Sequence, residues 1–160
     1  TLANLLRNHD KKRVNKDCFI SPFYVGIIFK LKILKTMNTL LPKFQIFIGA
    51  DGQFWFRLKA AGNHETILAS TEGYKTKAGC NAGIASVKTH SPFDSFYIRK
   101  ESSTIYGMRH FFTLIAANKE PIGKSEMYNS AQNRENGIAV VKKSAPIAPI
   151  EDLVPHKNYV

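Results

Sequence analysis

The sequence predicts an α+β protein built as a tandem repeat of a three-strand, helix, strand unit, its two halves sharing a single antiparallel sheet with two helices on one face. Three observations predict it. Residues 72–92 align without a gap on residues 126–146, with Glu72/Glu126, Tyr74/Tyr128, Gly83/Gly137, Ile84/Ile138, Ala85/Ala139, Val87/Val141, Lys88/Lys142 and Pro92/Pro146 identical. Upstream, Phe56, Leu58, Ala60 and Ala61 match Phe112, Leu114, Ala116 and Ala117 with a slightly larger offset. Within each copy the apolar residues pass from a period of two to a helical period, as strands followed by a helix require. A fixed repeat of this length is a duplicated supersecondary unit.

The elements follow in order. Phe44, Ile46 and Ile48 alternate with Lys43, Gln45 and Phe47, and Asp51-Gly52 is expected to supply the positive φ values of a tight hairpin. Phe54, Phe56, Leu58 and Ala60 then point one way while Trp55, Arg57 and Lys59 point the other, the alternation of a half-buried strand. Gly62-Asn63 turns the chain into a third strand over residues 66–70, with a counterpart near residues 122–125. Thr76 and Ser130 are N-cap residues, since their hydroxyls can accept the free amide protons of a first helical turn. Cys80, Ile84 and Val87 share one face of the first helix, Ile138 and Val141 one face of the second, and Pro92 and Pro146 stop both. Gly83 and Gly137 interrupt the helices at the same place. A mid-helix glycine costs about 1 kcal/mol relative to alanine, so its recurrence points to a close approach of the sheet or the sister helix. A last strand is expected at residues 96–98 and at residues 148–153. The second hairpin turn, within residues 102–109, has neither Asn-Gly nor Asp-Gly.

One such unit buries too small a share of its surface to be stable alone, so the two copies are expected to complete each other. Residues 43–160 are therefore read as one pseudo-symmetric domain, with repeats at 43–98 and 99–154 and a short C-terminal tail. Residues 1–42 are read as a basic, poorly ordered extension. The chain carries a formal net charge of +11, and eight basic residues stand against Asp10 and Asp17 in residues 1–42, so more than half of the excess lies outside the repeats. The cluster from Lys11 to Lys16 reads as a solvated tail. The apolar run at residues 19–29 is about half the length of a membrane span, and lysines follow it where a signal peptide would place a small-residue cleavage site. No membrane span is expected, and the cytoplasm is the expected compartment. Met37, six residues before the first repeat, is the expected natural start of translation, with residues 1–36 as upstream read-through or an extension.

The runs FRLKAAGN (56–63), TEGYKTKA (71–78) and NAGIASVK (81–88) resemble the YegP-like family of small bacterial proteins. In the second copy IGKSEMY (122–128), RENGIAVVKKSAP (134–146) and EDL (151–153) read almost as that family's pattern. The resemblance covers nearly all of residues 44–153. It implies that the C-terminal strands are exchanged between the repeats. That family has no established activity, so the resemblance carries over no site residues.

The chemistry visible in the chain is sparse. Cys18 and Cys80 have no counterparts in the second copy, and His9, His64, His90, His110 and His156 lack the spacing of a metal site, so neither disulfide, metal nor cofactor is expected. Glu72 and Glu126, each two residues before Tyr74 and Tyr128, recur where a strand meets a helix. A symmetric carboxylate pair suits acid-base work, yet a structural role accounts for them better: the carboxylate at a helix N-terminus, the tyrosine ring over the core edge with its hydroxyl in solvent. With no nucleophile beside a base and no phosphate-binding glycine loop, enzyme activity is not expected. Trp55, Arg57 and Lys59, with Phe47 beside them and Phe111 in the second copy, form the candidate binding surface if helices cover only the other face. Such a surface fits a protein partner or self-association, or, as the alternative, single-stranded nucleic acid.

Overall fold

The computed structural model describes residues 41–62 and 65–155. The chain divides between Thr36 and Met37, and all the described residues fall in the second part. The expectations for residues 1–36, for Met37 and for the Lys11 to Lys16 cluster lie outside them.

In chain order the elements are β1 (Lys43–Ile48), β2 (Phe54–Lys59), β3 (Thr66–Ala69), α1 (Lys77–His90), a 3-10 turn (Asp94–Phe96), β4 (Tyr97–Thr104), β5 (Gly107–Ile115), β6 (Pro121–Lys124), α2 (Ala131–Ser144) and β7 (Ile150–Asp152). The strands form one sheet in the order β4-β5-β6-β3-β2-β1-β7. The inner pairs are antiparallel, whereas β7 runs parallel to β1. The sheet is therefore mixed, not antiparallel throughout as expected. The alternation of side chains is the same in both kinds of ladder, so it fixes the face of a strand and not the direction of its neighbour.

A second difference concerns residues 96–98, expected as a short closing strand. Phe96 ends the 3-10 turn, and Tyr97 opens a strand of eight residues that pairs with β5 from Tyr97↔Leu114 to Thr104↔Gly107. The Tyr97 hydroxyl donates to the Ser91 carbonyl at 2.7 Å, which fixes where the strand begins. The repeat boundary drawn at residue 98 thus falls inside β4. The first hairpin also differs in detail. Gly52 takes the left-handed conformation (φ 73°), while Asp51 accepts from the Gln53 amide at 3.1 Å. In the second hairpin the left-handed residue is Gly107 (φ 99°).

Each helix starts where expected. The Thr76 hydroxyl accepts from the Gly79 amide at 3.1 Å, and the Ser130 hydroxyl from the Asn133 amide at 3.2 Å. Phe44, Ile46, Phe56, Leu58, Leu68, Phe112 and Leu114 form one buried cluster with Cys80, Ile84 and Val87 of α1 and Ile138 and Val141 of α2. Both helices therefore cover the same face of the sheet. Each large side chain so buried contributes about 1.5–3 kcal/mol. An ionic clasp ties β4 to α2: Arg99 donates to Glu135 at 2.8 Å and to Asp94 at 3.1 Å, and Lys142 reaches Asp94 at 2.6 Å. Among the described residues no helix is long and apolar enough to cross a membrane.

Candidate binding face of the sheet

The side chains facing away from the helices follow from the ladder. Phe44, Ile46, Phe56 and Leu58 are buried in the core, so Gln45, Phe47, Trp55, Arg57 and Lys59 turn to the opposite face. One residue from each strand lines up across it: Glu151, Gln45, Arg57, Ala69, Lys124, Thr113 and Ile98. Flanking rows bring Phe47 opposite Trp55, Lys43 opposite Lys59, Phe111 opposite Lys100, and Arg109 opposite Ser102.

This face is basic. Lys43, Arg57, Lys59, Lys100, Arg109 and Lys124 share it, and among the described strand residues the one carboxylate there is Glu151. Glu151 accepts from Lys43 Nζ at 3.0 Å and from Gln45 Nε2 at 2.6 Å, and Gln45 Oε1 accepts from Arg57 Nε at 2.9 Å. The carboxylate is thus largely spent on its own neighbours. The Arg57 guanidinium lies 5.0 Å from the centre of the Phe47 ring, and Lys124 Nζ 4.8 Å from that of Phe111. Lys59 donates to the Thr66 hydroxyl at 3.0 Å. Desolvation, and then the Arg57 charge, draws its ammonium pKa below the usual lysine value.

Trp55 is not a free plate. Its indole N–H donates to Asp51 at 3.1 Å, and the ring lies against two glycines. A β-carbon at Gly49 would stand 2.6 Å from Nε1, and one at Gly73 2.9 Å from Cε2. The Gln53 amide and the Trp55 indole together hold the Asp51 carboxyl below its usual range.

Phe47, Trp55, Arg57 and Lys59 are therefore brought together on β1 and β2, whereas Phe111 lies on β5, beyond β3 and β6. Sequence reasoning passed over Lys43, Gln45, Lys100, Arg109, Lys124 and Glu151. Counting by twos from Phe111 reaches Arg109 and Thr113. Lys124 needed the β3–β6 pairing, which no local pattern announces.

The repeated junction residues sit elsewhere. The Thr71 hydroxyl donates to the Pro121 carbonyl at 2.7 Å, which sets Glu72 beside the start of β6, whereas Glu126 lies near Ile67 at the other end of the β3–β6 contact. The two carboxylates do not form a pair. Glu126 instead lines a shallow groove with Glu65, Asn133 and Asn136, where desolvation and then the Glu65 charge raise its pKa.

The tyrosines also differ from expectation. Tyr74 stacks on Phe56 with ring centres 6.1 Å apart, and Tyr128 on Phe112 at 6.5 Å. Their hydroxyls point under the helices, to the space beside Gly83 and Gly137. The Tyr128 hydroxyl is shut off from solvent and makes no hydrogen bond of full geometry, although the Glu126 carboxylate comes near enough to interact with it. Burial, and then the charge of Glu126, pushes its pKa up to about 12. The glycines recur, then, to admit a tyrosine from the same half of the chain.

Among the described residues, fold and face define a small two-layer α+β protein whose helices cover one side of the sheet. The sequence profile of the family described as "Domain of unknown function (DUF1508)" matches residues 50–97 and again residues 108–152, and the chain belongs to this family. It is similar to the UPF0339 protein YegP of Escherichia coli O157:H7, 45% identical over 109 residues that cover 68% of this chain and 94% of the relative. A UPF0339 protein of Bordetella pertussis is 48% identical over 103 residues, 62% of this chain and 86% of its own. Two solution NMR structures share the fold. One, of a UPF0339 protein of Shewanella oneidensis, has a TM-score of 0.63 at 37% identity and covers 74% of this chain and 98% of its own. The other, of the protein of unknown function YegP from Escherichia coli, has a TM-score of 0.62 at 41% identity and covers 72% and 95%.

Proposed function

We propose that the protein is a non-enzymatic docking module that binds an acidic segment of a protein partner across the open face of its sheet. The observation that carries this reading is the charge of the described strand residues on that face, six cations against one carboxylate, which Lys43 and Gln45 already engage. Such a surface attracts an anionic partner and repels its own copy, so a face-to-face homodimer is disfavoured. The non-catalytic part is supported by the separation of Glu72 from Glu126. A reducing cytoplasm belongs to the same reading and suits the buried, unpaired thiol of Cys80. So does the view that the halves are copies of one unit and that β7, lying beside β1, is a strand given by the second copy to the first.

Single-stranded nucleic acid is the second reading, favoured by the aromatic side chains among the cations. Base stacking contributes about 1–3 kcal/mol per base, but it needs exposed ring faces. Here Arg57 covers Phe47, Lys124 covers Phe111, and Trp55 is held between glycines. What remains is contact with phosphate, which an acidic peptide matches. Fluorescence anisotropy of labelled oligoglutamate and oligothymidylate at two salt concentrations separates the readings. The peptide is expected to bind at low salt and to be lost on Arg57→Glu. Tighter binding of the oligonucleotide, weakened by Trp55→Ala, would favour nucleic acid instead.

A further inference from the structure

We propose that the tip of the β4–β5 hairpin is an anchor for an anionic lipid surface. Ile105 is 91% exposed, Tyr106 80% and Met108 50%. Hairpin geometry does not require these residues. The left-handed conformation of the turn falls on Gly107, and the β1–β2 turn is made of Gly49, Ala50, Asp51, Gly52 and Gln53. Two large apolar side chains at a turn that tolerates polar ones are what a partner phase would recover.

Part of the main chain of the tip is already paired. The Tyr106 amide donates to the Thr104 hydroxyl at 3.2 Å, and that hydroxyl donates to the Gly107 carbonyl at 2.8 Å. Polar backbone groups paired in this way do not carry the full cost of an unsatisfied donor or acceptor in an apolar medium. A tyrosine at the boundary keeps its hydroxyl among the headgroups while its ring enters the acyl region.

Charge selects the kind of surface. Arg109 follows Gly107 by two residues and Lys100 precedes Thr104 by four, which places them roughly 7 and 13 Å behind the tip at the rise of a strand. An apolar group buried about 5–10 Å into the headgroup boundary would bring such cations to the level of the lipid phosphates. The nearby carboxylate, Glu101, is engaged by His110 at 3.1 Å and Arg134 at 3.9 Å. A hydrophobic groove on another protein would need the apolar tip alone; the cations behind it favour an anionic bilayer.

The test is sedimentation of the full chain with vesicles of phosphatidylcholine and phosphatidylglycerol in equal parts. Wild type is expected in the pellet, with much less on phosphatidylcholine alone. Ile105→Asp combined with Tyr106→Asp is expected to lower the bound fraction about tenfold, with an unchanged circular dichroism spectrum because both side chains lie outside the core. Tyr106→Trp is expected to shift the added emission to shorter wavelength on the anionic vesicles. A double variant that pellets like wild type overturns the proposal, since binding then comes from basic residues elsewhere, Lys11 to Lys16 among them. Wild type that stays in the supernatant also overturns it. In that case a tip-dependent mass in sedimentation equilibrium would assign the tip to a second copy.

Discussion

The Tyr128 hydroxyl stands 2.2 Å from the point a β-carbon on residue 137 would occupy, and Tyr74 stands to Gly83 in the same way at 2.3 Å. Elsewhere in a helix, glycine to alanine gains about 1 kcal/mol. Here the added methyl must displace a ring stacked on the core, and overpacking of this kind costs about 1–3 kcal/mol. Gly137→Ala and Gly83→Ala are therefore expected to lower the denaturant midpoint. Tyr128→Phe is expected to restore part of the loss in the Gly137→Ala background.

Taken alone, Tyr128→Phe should not destabilise. Its hydroxyl is buried with no hydrogen bond of full geometry, only the approach of the Glu126 carboxylate, so removing it relieves a largely uncompensated desolvation and gains up to about 1 kcal/mol. Urea unfolding of the single variant checks this, and a clear loss of stability would mean that the hydroxyl has a partner in solution.

The clasp between β4 and α2 predicts a pH dependence. Hydrogen bonds from Arg99 and then Lys142 hold the Asp94 carboxyl down at about 2, from an ordinary 3.8. A carboxyl lowered on folding contributes stability that is complete above its unfolded value and is lost as pH falls through the folded one. Stability is thus expected to decline between about pH 4 and pH 2, and Asp94→Asn to flatten that limb of the curve. Asp94 is largely exposed, so added salt should weaken the effect. Thermal melts across the range, with and without salt, measure both.

Burial pushes the Cys80 thiol up to about 11. The thiolate is the reactive form, so Cys80 should resist alkylation at neutral pH while the protein is folded and react once it unfolds. Peptide mapping after iodoacetamide treatment, native and denatured, gives the comparison. Rapid labelling of the native protein would contradict the packing of α1.

Local rules made much of this fold legible. Thr76 and Ser130 cap the helices because a hydroxyl there serves any helix start, and Phe44, Ile46, Phe56 and Leu58 reveal the buried face through their alternation. The parallel course of β7 was not legible, since pleat and period are common to both ladder directions. Nor was the opening of β4 at Tyr97, which depends on a hydrogen bond to Ser91. The inward turn of Tyr74 and Tyr128 had a signal: each precedes its helix glycine by nine residues, a spacing that links the two recurrences. At the candidate site Trp55, Arg57 and Lys59 could be read from one strand, whereas Lys124 and Glu151 arrive through pairings between distant segments.

The most direct test of the docking reading is to follow backbone amide resonances during titration with oligoglutamate at low salt. Shifts confined to Gln45, Phe47, Arg57, Thr113, Lys124 and their strand neighbours, and abolished in an Arg57→Glu, Lys124→Glu double variant, are the predicted result. Shifts that map instead to α1 and α2, or a spectrum that does not change, would contradict it.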